Sequence, residues 1–225
     1  MPARVQKVGR DVSNLLRYGR HAPLTHERLF VDPQDIKLKW SPRKLPERIP
    51  FHEAISGTVR DGDWDLAVKQ VCKERKYRAC AARFVNGKSW EDTGIIDNLM
   101  KKIARDGEVD GCFSRAELLA RYAALDRLYA EIRAAGRLKT RDEIGGHGLR
   151  EELGILCHIG RDGTLIRARN GHHRFAVAQI LKLPVIPIQI GFVHKNALRS
   201  GQFQALRVRS RQLEHQAVDP TREHP

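Results

Sequence analysis

The sequence has few aromatic residues and cysteines and no long apolar run. No stretch of about 18 residues is apolar throughout, so we expect no membrane-spanning helix. The four cysteines show no CxxC spacing, and the first residues lack the apolar core of a secretory signal. We therefore expect reduced thiols in a cytoplasmic protein. Aromatic residues make up only 6% of the chain, which disfavours single-strand recognition by base stacking.

Acidic residues are outnumbered. The chain has 41 lysine and arginine residues against 27 acidic ones, a formal net charge of +14. This excess favours polyanionic partners such as nucleotides, nucleic acid or phosphate esters, although a solvated basic surface fits the charge alone equally well. With 225 residues, 41% of them hydrophobic, the chain is long enough for a buried core.

The pattern of breakers and apolar residues predicts four consecutive segments. Residues 1–60 are expected to form an irregular arm, because prolines interrupt any long helix. Residues 61–140 are expected to be helical, 141–198 to form an α/β domain, and 199–225 to form a basic tail that is helical in part. The prolines that interrupt the arm are Pro23, Pro33, Pro42, Pro46 and Pro50.

Capping signals divide the helical segment into three predicted helices. The first is expected to begin at Trp64 with Asp63 as its N-cap and to end at Asn86-Gly87. Ser89 and Asp92 resemble a capping box for the second helix. A third, long helix is expected after the capping box of Ser114 and Glu117.

The α/β segment changes to strand-like periodicity. It predicts a strand over 155–159, a hairpin turn, and a return strand over 164–166. A helix is expected over 173–183, followed by a strand over 185–190 that contains Pro187. Since proline cannot donate a ladder hydrogen bond, we expect this strand at an edge or a bulge. The strand, helix and strand order predicts a small mixed sheet with helices, an α/β fold.

The candidate site is the segment Asn170-Gly171-His172-His173-Arg174, where a strand leads into a helix. Residues that are or can be cationic are unfavourable at a helix N-terminus unless an anion is bound there. Backbone N–H groups and the Arg174 guanidinium would hold phosphate oxygens, and Gly171 would let them approach the backbone. The alternative is an ordinary helix start.

Other residues carry weaker signals. A general base for phosphoryl transfer would be a nearby carboxylate, for which Glu143, Glu151 and Glu152 are candidates, unless they lie on a solvated helix face. Asp61, Asp63 and Asp65 are possible magnesium ligands, although a turn and a helix cap explain them better. Zinc binding would need a third ligand beside the two loop histidines, such as His158 or His194.

Residues 154–193 resemble the ParB/sulfiredoxin superfamily, in the group labelled ParB-like nuclease domain. The resemblance rests on Gly171-His172-His173-Arg174, the following Phe175-Ala176-Val177-Ala178, and Leu183-Pro184-Val185-Ile186-Pro187. In that superfamily a similar loop at a helix start holds nucleotide phosphates. The resemblance therefore implies a ParB/sulfiredoxin-like small mixed sheet and binding of ATP or another nucleoside triphosphate, with Mg²⁺, by residues 170–174.

The departures from the family narrow the expected activity. His172 occupies the position of the cysteine that sulfiredoxin needs, which disfavours sulfinic-acid reduction. Few residues follow residue 193, which disfavours a chromosome-partitioning helix-turn-helix module. We therefore expect an ATP-dependent phosphotransferase or NTPase with His172, His173 and Glu152 as catalytic residues, and no resident metal. The alternative is a ParB-like DNA-binding or nuclease protein.

Overall fold

The computed structural model describes residues 3–45, 56–145 and 151–218. Contacts divide the chain into two compact units. The first contains the described residues of Met1–Val71, Lys139–Gly171 and Pro184–Pro225, and the second contains Cys72–Leu138 and His172–Leu183. The units are interleaved along the chain, whereas the segments predicted from the sequence follow one another.

The first unit is built on a 7-stranded mixed sheet with strand order β1-β7-β5-β6-β2-β4, and β3 also pairs with β7. Pairing is parallel between β5 and β7, β2 and β6, and β3 and β7, and antiparallel elsewhere. The predicted α/β class with a mixed sheet is confirmed. The strands are β1 (Arg28–Val31), β2 (Leu38–Trp40), β3 (Val59–Arg60), β4 (Val68–Gln70), β5 (Ile155–Ile159), β6 (Leu165–Arg167) and β7 (Ile186–His194).

Strands β5 and β7 form the centre of the sheet, and every residue of both is buried. The predicted edge position of the strand that contains Pro187 is wrong, since β7 lies between β1 and β5. The β5–β7 ladder does contain a register shift, between Cys157 and Ile159, but it does not lie at Pro187. Pairing with β5 begins one residue later, where Ile188 lies opposite Ile155. Pro187 therefore precedes the ladder in which its missing N–H would have been needed.

The first unit also contains helices α1 (Ala3–Tyr18), α6 (Lys195–Arg199) and α7 (Gln202–Val218). The prediction of an irregular arm over 1–60 is wrong for α1, which ends before Pro23, the first of the prolines that were expected to interrupt it. Residues 46–55 of that arm lie outside the described residues. The basic tail is helical as expected, apart from 219–225, which also lie outside the described residues.

The helix predicted to begin at Trp64 is wrong over its first half. A short 3-10 turn at Trp64–Leu66 leads into β4, because Trp64 is buried among other aromatic rings and Val68 pairs with Trp40 in the sheet. Asp63 makes no cap hydrogen bond and instead pairs with Arg161. Packing in the first unit therefore overrides the local helix signal.

The second unit packs the helices α2 (Arg75–Phe84), α3 (Ile95–Asp106), α4 (Arg115–Ala135) and α5 (His172–Ile180). Helix α4 is capped as predicted, since the Ser114 hydroxyl accepts a hydrogen bond from the Glu117 N–H. Helix α3 starts later than predicted, because the Ser89 and Asp92 pair closes the preceding turn. Within the described residues, no helix is long and apolar enough to span a bilayer.

Candidate functional site

Helix α5 begins at His172, within one residue of the predicted start. Gly171 precedes it with a positive φ of 75°. A Cβ atom on Gly171 would lie 2.7 Å from the Ile155 Cα atom. The first unit therefore requires glycine here so that two backbone segments can approach closely. The close approach to Ile155 thus gives a structural reason for glycine at this position. The predicted reason, that glycine lets a phosphate approach the backbone, stays a prediction.

The His172 ring contacts the carboxylate of Glu74, the residue that directly precedes α2. Its Nδ1 atom lies 2.9 Å from Glu74 Oε1, and the two side chains are 19% and 10% exposed. Glu74 makes no cap hydrogen bond to its own helix. A carboxylate on Nδ1 holds the proton on that nitrogen, so Nε2 is the basic nitrogen of the neutral ring.

Sequence reasoning missed Glu74. The available signal was its position as the only acidic residue in the basic stretch from Lys69 to Lys76. A single carboxylate among several cations is a plausible partner for a histidine, but the second partner lies far away in the sequence. Only the packing of α2 against α5 in the second unit brings the two residues together.

His173 is largely buried, and its ring packs edge-on against Tyr122, with centroids 5.4 Å apart. Burial lowers the pKa of His173 to about 3, and the nearby cations of Lys76 and Arg121 lower it further. His173 is therefore neutral at physiological pH and does not take the cationic role expected of it at the helix start. Among the described residues, His173 Nε2 and the Tyr122 hydroxyl have no hydrogen-bond partner.

An ion pair between Lys76 and Asp110 lies in the same unit. Burial acts to raise the pKa of Asp110, but the Lys76 ammonium outweighs it, and the pKa of this carboxyl is lowered. Asp110 also interacts electrostatically with His173. Charged side chains of both signs therefore act on His173 in the second unit.

The remaining loop residues divide between the units. Asn170 belongs to the first unit and Arg174 to the second, and both are partly buried. The first turn of α5 contains no acidic residue. The positive end of its helix dipole is thus not offset by an acidic residue of its own helix.

The predicted bases lie in the first unit, where each has a structural contact. The Glu143 carboxylate accepts hydrogen bonds from the Thr140 N–H and hydroxyl. Glu151 is fully buried and accepts one from the Arg141 N–H at 3.1 Å. Glu152 is 45% exposed, and its Oε1 atom lies 3.7 Å from His26 Nε2. The role of Glu152 as a base stays a prediction.

The acidic residues at 61–65 are engaged by cations. Arg161 Nη2 lies 2.7 Å from both Asp63 Oδ1 and Asp65 Oδ1. Asp61 pairs with Lys195 at 3.2 Å. Each of these carboxylates is therefore paired with a cation, and the described residues contain no group of three or more His, Cys, Asp or Glu side chains that could hold a metal ion.

The histidines considered as further zinc ligands also have structural contacts. His158 is fully buried, and its Nδ1 atom accepts a hydrogen bond from the Phe192 N–H. His194 uses Nε2 toward the Gly62 carbonyl at 2.8 Å and Nδ1 to accept from the Asn196 N–H. Both nitrogens of His194 are occupied.

No protein-family model, curated protein or solved structure matches this chain. A histidine whose ring is oriented by a carboxylate can serve as a proton-transfer group. A helix start and an arginine beside it can hold an anion.

Proposed function

We propose that residues 170–174 bind the phosphates of a nucleoside triphosphate and that the protein is an ATP-dependent phosphotransferase or NTPase of the ParB/sulfiredoxin type. The observation that carries the proposal is the 2.9 Å contact between His172 Nδ1 and the Glu74 carboxylate at the first residue of α5. It joins a proton-transfer group to a helix start that is suited to anions.

Binding would rest on the backbone N–H groups at the start of α5 and on the Arg174 guanidinium. The helix dipole adds about half a positive charge at this end. His173 is neutral and contributes no charge. His172 acts as a base in its neutral form, so Arg174 is the main side-chain cation of the proposed site.

Proton transfer would be the task of His172. With the proton held on Nδ1 by Glu74, its Nε2 atom accepts the proton of an acceptor hydroxyl or of water. His172 is better suited than His173, whose pKa of about 3 makes it a poor base. Mg²⁺ that arrives with the nucleotide would neutralise phosphate charge, and the described residues offer it no prepared site.

The binding step is tested by thermal unfolding with ATP or CTP and magnesium. At a ligand concentration about 100 times the dissociation constant, the melting temperature should rise by roughly 5–10 °C. Arg174→Ala should abolish the rise. Arg133→Ala, which removes an exposed arginine in the last turn of α4, is the matched control and should keep it. The absence of any shift with either nucleotide would overturn the proposal.

The chemical step is tested by turnover of the bound nucleotide. His172→Ala should reduce kcat by about 100-fold or more with little change in nucleotide affinity, because proton transfer is lost and the phosphate contacts remain. Glu74→Gln should also reduce kcat, since the carboxylate orients the ring. If kcat is unchanged in both variants, His172 and Glu74 have no part in the chemistry.

The net charge of +14 supports the second candidate, a DNA-binding or nuclease protein. Nuclease chemistry usually depends on clustered carboxylates and a metal. The part of the chain that the structure describes shows no such cluster. DNA binding that is insensitive to nucleotide would favour this candidate over the first.

A further inference from the structure

Helix α1 exposes its apolar face to solvent, whereas an ordinary surface helix exposes its polar face. Its apolar residues Val8, Val12, Leu15 and Leu16 recur at intervals of four, three and one, and so they share one face. That face points outward, since Leu15 is 53% and Leu16 is 82% exposed. Surface helices of globular proteins normally turn such a face toward the core.

The polar face of α1 packs against the other segments of the first unit. Asn14 is buried, and its amide donates to the carbonyls of Pro23 and Gly57 at 2.9 and 2.7 Å. The Arg10 guanidinium donates to the Ser56 carbonyl, and the Asp11 carboxylate accepts from the Thr25 N–H. These directional bonds fix the rotation of the helix, so its apolar face is held outward.

A cavity of about 620 Å³ lies between α1 and α7, and we name it the α1–α7 groove. Val12, Leu15 and the exposed Leu24 supply its apolar surface. The groove therefore extends the exposed face of α1 into a concavity. A volume of this size accepts several apolar side chains of a partner.

The rim of the groove carries an excess of cations. Arg207 is balanced by Glu27, with Nη2 at 2.8 Å from Oε2. Arg20 and Arg211 also line the groove, and both are exposed. Asp11 is the other acidic residue in the lining, so positive charge prevails.

Shape and charge together select the occupant. A second copy of this chain would bring two positive rims together, which electrostatic repulsion disfavours. A lipid surface is flat and does not fill a concavity, and the apolar face of α1 lacks the aromatic side chains that usually enter the bilayer interface. A helix inserts apolar side chains at regular intervals and can carry acidic residues on both sides of them.

We propose that the α1–α7 groove binds an acidic amphipathic helix of a partner protein. Its apolar side chains enter between Leu15 and Leu24, and its carboxylates face Arg20 and Arg211. This interaction is independent of the nucleotide site proposed above.

The test is selection from a phage-displayed library of helical peptides, randomised at their surface positions, on the full chain. The enriched peptides should be acidic and amphipathic, and their affinity is measured by fluorescence anisotropy. Leu15→Ser and Arg211→Glu should each weaken binding by about tenfold or more. Leu66→Ser, which alters another exposed apolar residue of the first unit, is the matched control and should leave binding unchanged.

Other results would overturn the proposal. These are the absence of enriched peptides, enrichment of neutral or basic ones, or binding that ignores Leu15→Ser. A dimer in light scattering that Leu16→Ser dissociates would assign the face to a second copy. Binding to anionic vesicles that is lost in Leu16→Ser would assign it to a membrane. A large fall in the melting temperature of Leu15→Ser would show that the chain covers the groove itself.

Discussion

Two buried histidines, His158 and His173, have pKa values well below that of an exposed imidazole because burial disfavours the charged ring. The His158 ring lies among aromatic side chains, perpendicular to Trp40 at 4.7 Å and to Trp64 at 5.6 Å. Its Nδ1 atom accepts a hydrogen bond from the Phe192 N–H at 3.0 Å, so the proton of the neutral ring is on Nε2. An added Cβ at Gly191 would come within 2.2 Å of that Nδ1 atom, so the ring also requires a glycine beside it.

This environment predicts that acid destabilises the protein. Burial lowers the pKa of His158 to about 3, and His173 reaches a similar value. Between pH 6.5 and 3 the unfolded chain binds these protons and the folded chain does not. The free energy of unfolding should therefore fall by roughly 1.4 kcal/mol per pH unit for each histidine as the pH falls through this range.

The measurement is chemical unfolding at several pH values from 7.5 to about 4.5. His158→Gln should be less stable at neutral pH because the packing changes, but its stability should fall less steeply with acid. His215→Gln, at an exposed position of α7, is the control and should follow the unmodified protein. A stability that is constant between pH 6.5 and 5 would contradict the prediction.

At the scale of elements, short-range signals succeeded where their partners are close in sequence. The capping box of Ser114 and Glu117 opens α4, and Gly136 ends it with a φ of 64°. The signal at Asp63 failed because its partner, Arg161, is brought to it by the sheet of the first unit. The turn before α5 depends on a local and on a long-range effect. Gly171 adopts a positive φ, which is local, and it also approaches Ile155 closely, which depends on the fold.

Two glycines separate these effects. Gly171→Ala should lower the free energy of unfolding by roughly 2–4 kcal/mol, because backbone strain adds to a clash with the Ile155 backbone. Gly136→Ala, at a similar φ with no atom within 4 Å of the added Cβ, should cost only about 1 kcal/mol. Urea unfolding of both variants measures the difference. Equal losses would mean that the close approach to Ile155 contributes nothing.

The whole chain carries a large positive net charge, which attracts polyanions whatever their sequence. A net charge of +14 predicts weak binding to duplex DNA at low salt without sequence preference. Raising the salt from about 50 to 200 mM should weaken this binding by tenfold or more. Fluorescence anisotropy with two duplexes of unrelated sequence measures it. Tight binding to one duplex that persists in high salt would instead indicate specific recognition and the second candidate function.

Features that depend on residues a few positions apart could be derived from the sequence. These are the α/β class, the strands at 155–159 and 164–166, the helix after Gly171 and the cap of α4. Three features could not be derived from the sequence. These are the 3-10 turn and strand within residues 61–74, the central position of β7, and the pairing of Glu74 with His172. Their partners lie far along the chain, and local propensity carries no information about them. The protonation state of His173 likewise depends on burial, and the outward apolar face of α1 depends on the polar contacts of its other face. Local residue order thus places the turn at Gly171, whereas long-range contacts make His173 neutral and bring Glu74 to His172.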